Sequence, residues 1–388
     1  MQNSIMNIVK GVVVILCCLC TVHQGHGETA RYASCYPTDG SAPYVQVTGS
    51  NIEVTYVTLV QDFYDKTRMI RMPVIYICEN AFRDRIKLRC INILSPLVRI
   101  DKLAFCNCIA LDSVYLPVSG SYWYNKSLAL ETIGENVFQD CWKLKYINLP
   151  VSLKTIKRCA FLDCWSLPAI DIPYTVTTIG DYAFKNCKSL TSIVISTKLG
   201  YMGEDGLGEG IFQNCTAMET IEFYNKYNLK IKPLAFDNCK SLKTVKFNYN
   251  TIVLIDSCAF RGCTSLRKFT IPASLTQGVG PLAFEGCTAL DTVTSLADVP
   301  PVMGRDAFRD VSPTCVLMVP IGRTQAYRAA GWSEEVFRGG IREIGAPAGI
   351  STIKVKSKDT RYYDLQGRPV AKPEKGRIYI HDGRKVME

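Results

Sequence analysis

The chain has 388 residues, 47% of them hydrophobic, and a formal charge of +10. This composition suits a folded chain and excludes a disordered one. Residues from Ser351 onward carry much of the basic surplus, the remainder shows no Lys/Arg run, and nucleic acid is excluded as a partner.

In chain order, the first element is a leader. Lys10 is the only charge before Glu28, and the apolar run Gly11–Val22 follows it. Gly25-His26-Gly27 places small residues at −3 and −1, so residues 1–27 read as a secretory signal cleaved after Gly27. The run is too short to span a bilayer as a stable helix. The competing reading is a lipid anchor at Cys18 or Cys20, the one membrane attachment considered. Residues 28–79 lack any repeat and read as an N-terminal cap. His23 and His26 leave with the leader and only His381 remains, in the tail. A Ser-His-Asp triad, a Cys-His pair and a His-ligated zinc site are therefore excluded from the body.

From residue 80 the chain repeats. Phe82, Phe105, Phe138, Phe161, Phe184, Phe212, Phe236, Phe260, Phe284 and Phe308 recur at steps of 23, 33, 23, 23, 28, 24, 24, 24 and 24 residues. A period in this range means stacked units, none of which buries its own apolar face alone. One clean unit runs Val176-Thr-Thr-Ile-Gly-Asp-Tyr-Ala-Phe184-Lys-Asn-Cys187-Lys-Ser-Leu190-Thr-Ser-Ile193-Val-Ile195. The Leu-x-x-Ile-x-Ile half alternates as a short half-buried strand. Pro150, Pro173 and Pro272 follow such strands and end the ladder for want of an N–H. The Val-x-x-Ile segment reads as a second short strand or bend. Ala-Phe-x-x-Cys, rich in Asn, Asp and Gly, reads as a single helical or 3₁₀ turn. The expected product is a β-rich right-handed superhelix of about ten repeats with parallel strands.

The pattern Ile-Gly-x-x-Ala-Phe-x-x-Cys-x-x-Leu-x-x-Ile-x-Ile-Pro resembles the BspA-like leucine-rich repeat family of bacterial cell-surface proteins, also called the Treponema pallidum type. The resemblance covers Asn80 to Phe308 and implies an α/β leucine-rich-repeat solenoid. Residues 80–299 would be the repeats, and 300–346 the last repeat with a strand-and-helix cap through Leu317 and Trp332. Residues 347–388 would be a linker and a short β module, with Tyr363-Asp-Leu-Gln-Gly367 and Gly376–Val386 similar to terminal modules of exported Bacteroidetes proteins. The resemblance further implies a secreted or cell-surface protein that adheres to a host extracellular matrix protein or to a neighbouring cell's surface protein.

Eight cysteines (Cys108, Cys141, Cys164, Cys187, Cys215, Cys239, Cys263 and Cys287) stand three residues after a repeat Phe. Stacked coils would hold them about 4.7–5 Å apart with parallel Cβ vectors, the wrong direction for disulfides. They read as a ladder of buried thiols. No two close Cys pairs share a fixed spacer, so no metal is expected, nor any cofactor.

Binding residues are sought on the outward strand positions and in the insertions. Tyr115, Tyr146 and Asn148 lie at outward positions near the N-terminal end. The insertion Gly120–Lys126 carries Tyr122-Trp123-Tyr124, clustered aromatics of the kind that anchor interfaces. Each has a plain alternative, a solvated sheet face or a loop packed back on its coil. Three functions remain open: a non-catalytic adhesion module, a glycan-binding or envelope-scaffolding protein, and a hydrolase using two carboxylates. Asp171 and Glu222 are the only acids of the strand face before the cap, two coil steps apart, farther than glycosidase carboxylates.

Overall fold

The computed structural model describes most of residues 55–345, apart from 60–61, 66–68, 95, 118–128, 196–197, 200–205, 225 and 250, and backbone strand segments on either side. The chain divides into two compact units, Met1–Ile344 and Gly345–Glu388. The first is a parallel β-solenoid. Its first ladder stacks Tyr56–Leu59, Cys90–Ile93, Ser113–Tyr115 and Tyr146–Ile147, all parallel and in register. It resumes with Ser192–Ile195, Thr220–Phe223 and Thr244–Phe247. A last stretch runs through Lys268–Ile271, Thr292–Ser295, Val316–Val319 and Ile341–Glu343. The second ladder stacks Ile70–Ile77, Arg99–Ile100, Thr132–Ile133, Thr155–Ile156 and Thr178–Ile179. Single bridges and the pair Leu229–Ile231 with Ile252–Ile255 carry it onward.

The pairing follows from the sequence period. Each coil lays the same residue over its predecessor, as in Ile100, Ile133, Ile156 and Ile179, every one buried. The first coil starts upstream of the boundary read at residue 80, because Tyr56–Leu59 already pairs with Cys90–Ile93. The repeat Phe marks the turn, whereas strands can begin before any turn residue announces them.

The interruption at Leu167–Ile172 has a covalent cause. At the position after the repeat Leu, the N–H of Lys145 donates to Asp112 O, and that of Asp112 to Arg89 O, each at 2.8 Å. Pro168 occupies this position in the next coil and has no N–H to give. The ladder lapses there and restarts after Thr191, whose N–H reaches Pro168 O at 3.2 Å.

The turn column is the most regular part. Repeat Phe rings from Phe82 to Phe308 stack with centroids 5.0–5.6 Å apart and interplanar angles of 2–17°. Such contacts add about 0.5–1.5 kcal/mol each beyond area burial. Local i→i−3 bonds are present, for example Cys141 N to Phe138 O at 3.2 Å, as a 3₁₀ turn requires. Alternate N–H groups instead cross to the next coil: Asn136 to Arg158 O, Phe138 to Ala160 O and Asp140 to Leu162 O. The turn is therefore knitted sideways rather than wound into a helix. Two residues per turn take left-handed φ, two before and two after the Phe. The later site is Asp84, Asn107, Asp140, Asp163, Asn186, Asn214, Asn238, Gly262, Gly286 or Asp310, the residue types that tolerate αL. The earlier site includes Leu103, Tyr182, Leu234 and Leu282, which gain no such tolerance from their side chains.

The eight repeat cysteines are free and buried. Each thiol donates to the Phe carbonyl of the preceding coil, at 3.0 Å for Cys108 to Phe82 and 3.2 Å for Cys239 to Phe212. Burial pushes the Cys108 thiol up to about 12. The C-terminal end is closed by helix Thr324–Ala329 and by Trp332 and Phe337, which pack on Phe308 at 5.7 and 5.0 Å. The unit Gly345–Glu388 is a four-stranded antiparallel sheet, Pro369–Val370, Tyr362–Tyr363, Ile378–His381 and Arg384–Met387.

Candidate binding face

The outward positions of the first ladder form the candidate face. In-register stacking repeats one backbone geometry, so only side chains vary along it. Tyr115 and Tyr146 are brought together with ring centroids 5.3 Å apart and a 42° tilt, 44% and 49% exposed. They share the face with Tyr56, 63% exposed, two strands from Tyr115 and three from Tyr146. Asn148 has a structural task instead. Its amide donates to Leu116 O and accepts from Leu116 N, both at 2.8 Å, replacing a backbone rung where the strand ends. Both polar ends of the side chain are thereby engaged, which leaves little for a ligand. Tyr122, Trp123 and Tyr124 lie outside the described residues, as do Cys18 and Cys20.

Further along, the face is charged but paired. Glu222 accepts from Lys246 Nζ at 2.6 Å and from Tyr224 Oη at 3.2 Å. The Lys246 bond holds the Glu222 carboxyl below the ordinary glutamate range. A general acid needs the opposite shift. Asp171 lies exposed on its own coil. Among the described residues the one deeply buried acid, Asp237, is held by Arg261 at 2.8 and 3.1 Å and by Gln213 at 2.8 Å, a structural pair inside the turn column. Among the described residues no cluster of three His, Cys, Asp or Glu side chains converges as a metal site.

Sequence reasoning missed a second aromatic column. Trp142 and Trp165, each directly after a repeat Cys, stack at 4.9 Å and 2°, and Lys188 caps Trp165 at 4.3 Å. Their indole N–H groups donate to Asp140 and Asp163, two residues upstream. The signal was the shared position one residue after Cys141, Cys164 and Cys187. Both faces of Trp165 are covered, one by Trp142 and one by Lys188. A sugar needs an open ring face, so Trp165 serves as a strut with an exposed edge rather than as a carbohydrate platform.

The family model for the BspA type leucine-rich repeat region matches residues 65–131, 125–207 and 204–314, in six copies. The chain belongs to the BspA type leucine-rich repeat family. Among solved structures it is similar to the Treponema pallidum leucine-rich repeat protein, at 22% identity over 57% of this chain and 82% of that one, TM-score 0.39. A Bacteroides ovatus leucine-rich repeat protein matches at 19% identity over 86% and 100%, TM-score 0.34. A Faecalibacterium prausnitzii leucine-rich cell surface protein matches at 17% identity over 84% and 96%, TM-score 0.38. No curated protein matches. Among the described residues no helix is long and apolar enough to cross a membrane.

Proposed function

We propose that this BspA type repeat protein is exported and acts at the cell surface as a non-catalytic adhesion module for an extracellular protein. The observation that carries the reading is the exposed Tyr115–Tyr146 pair on a rigid parallel ladder. A solenoid face preorganises its side chains, so little conformational entropy is lost when a partner docks. Tyrosine supplies amphipathic contact area with few rotatable bonds, which suits an anchor. The leader-like segment 1–27 supports export, and the partner class is a host matrix protein or a neighbouring cell's surface protein. Catalysis is disfavoured because the strand-face acid Glu222 is paired with a lysine and kept ionised.

The test is binding of the full chain to an array of extracellular matrix proteins and glycans, beside a Tyr115→Ala/Tyr146→Ala variant. Saturable binding to a matrix protein, weakened at least about tenfold in the variant, is expected for loss of a two-residue anchor. Binding to glycans alone would replace the protein-adhesion reading with a carbohydrate one. Matrix binding that survives the double substitution would move the anchor off this face.

A further inference from the structure

The turn column ends in a row of backbone donors that meet no acceptor among the described residues. In each of the nine coils from Phe82 to Phe284, three alternate N–H groups donate to three alternate carbonyls of the following coil. The last instance is Leu282 N to Arg305 O at 3.1 Å, Phe284 N to Ala307 O at 2.7 Å and Gly286 N to Arg309 O at 2.9 Å. The equivalent donors of the tenth coil are the N–H groups of Asp306, Phe308 and Asp310. Among the described residues none of the three meets an acceptor. The backbone there keeps the form of the inner coils, with φ of 54° at Asp306 and 58° at Asp310. Of the three, Phe308 is buried at 3% exposed and flanked by exposed Asp306 and Asp310, and a buried N–H without a partner is rare and costly.

The cap closes the ring stack without closing this row. Trp332 and Phe337 cover the Phe308 ring. An open depression of about 510 Å³ remains, lined by Asp306, Phe308, Asp310, Ser312, Glu335 and Arg338 among others. The charges around it do not favour an anion. Asp306, Asp310 and Glu335 outnumber Arg309 and Arg338, and Arg309 is already paired with Glu285. The donors come from every second residue, so they match a facing chain that offers one carbonyl every second residue. A polypeptide main chain has this spacing, and nine inner coils show the row holding one.

We propose that the C-terminal end of the turn column binds a peptide segment of a partner protein through three main-chain carbonyls, as a non-covalent continuation of the stack. Sequence preference would come only from the rim, chiefly Glu335 and Arg338, whereas the donor row itself reads backbone. This site is separate from the Tyr115–Tyr146 face, so either can fail without the other.

The test uses the full chain and a blocked synthetic peptide copying residues 303–313, which carries the carbonyl series that the inner coils present. Amide exchange is followed residue by residue by NMR on deuterated, ¹⁵N-labelled protein. In the free chain the amides of Asp306, Phe308 and Asp310 should exchange far faster than those of Leu282, Phe284 and Gly286. Saturating peptide should protect these three. Glu335→Trp, which fills the depression from its exposed rim, should abolish that protection and leave the melting temperature unchanged. Should that variant misfold, an amide-to-ester replacement at Phe308 serves instead. It removes one donor, should leave stability unchanged and should weaken the peptide roughly tenfold, the worth of one good hydrogen bond. The same replacement at Phe284 should destabilise the fold. Full protection of the three amides in the free chain, with another part of this protein as the acceptor, would overturn the proposal. So would a peptide that leaves their exchange unaltered.

Discussion

The turn column and the outward strand face are built from the same coils, yet they follow opposite rules. In the column each position repeats its chemistry: a stacked Phe, a thiol on the preceding Phe carbonyl, and Asn, Asp or Gly where φ is positive. On the face little repeats beyond Thr220 over Thr244 and Thr270 over Thr294. Tyr146 is followed by Ala169, Ser192 and Thr220 at the equivalent place in successive coils. Regularity is imposed where a residue must satisfy the coils on both sides. Variation is free where one side is water, and recognition can only be encoded there or at the ends of the stack.

The contrast breaks most visibly at a central ring. Phe184 is buried and stacks on Phe161 and Phe212 at 5.2 and 5.5 Å. Phe184→Ala should cost about 3–5 kcal/mol, read from chemical denaturation. A loss as small as that of a surface substitution would mean the column is not the stabilising element.

The thiol ladder comes next. Cys239→Ala removes a buried sulfur and its bond to Phe212 O, and about 1–2 kcal/mol should go with it. The same ladder predicts a pH dependence. Burial raises the Cys108 thiol from its ordinary value of 9.0 to about 12 in the folded chain. The folded state therefore holds its proton more tightly than the unfolded state. The associated stability is complete below pH 9 and is lost as pH rises toward 12, at about 1.4 kcal/mol per pH unit for each such thiol. Urea midpoints at pH 8, 9 and 10 should fall over the last step, and less steeply in Cys108→Ala. A flat profile would contradict the burial of these thiols.

Asn148 sharpens the comparison because it sits on the face and serves the column's purpose. Asn148→Ala should cost about 1 kcal/mol for two half-buried bonds to Leu116, whereas Tyr146→Ala should alter binding far more than stability. Lys246→Ala is the smallest case. Its pairing with Glu222 is exposed, so denaturation midpoints should not move beyond error.

The stack was legible because its signals are periodic. The Phe spacing and the Leu-x-x-Ile-x-Ile alternation mark positions that the coils fill alike, and the prolines after three of these segments mark where they stop. The thiols were legible as buried and unpaired, but their role as donors to Phe carbonyls was not, since a buried Cys reads the same with or without an acceptor. Of the candidate site, Tyr115 and Tyr146 were read as outward residues, but their contact depends on the lateral offset of adjacent strands. Asn148 looked like a recognition residue because alternation alone cannot tell a solvent-facing amide from one folded back on the backbone. Trp142, Trp165 and Lys188 went unread because only stacking turns three residues a coil apart into one column.

The sequence by itself determined the coil length, the parallel pairing and the identity of the buried ladders, since all three follow from repetition at a fixed period. The lapse at Pro168 was not read from it, since Leu167–Ile172 carries the same Leu-x-x-Ile-x-Ile spacing as the strands on either side. Tertiary structure alone decided the left-handed φ at Leu103, Tyr182, Leu234 and Leu282, where crossing hydrogen bonds outweigh local preference. It alone decided that the tenth coil ends with three donors facing an open depression, because a hydrogen bond to the next coil can be seen missing only where the next coil would be.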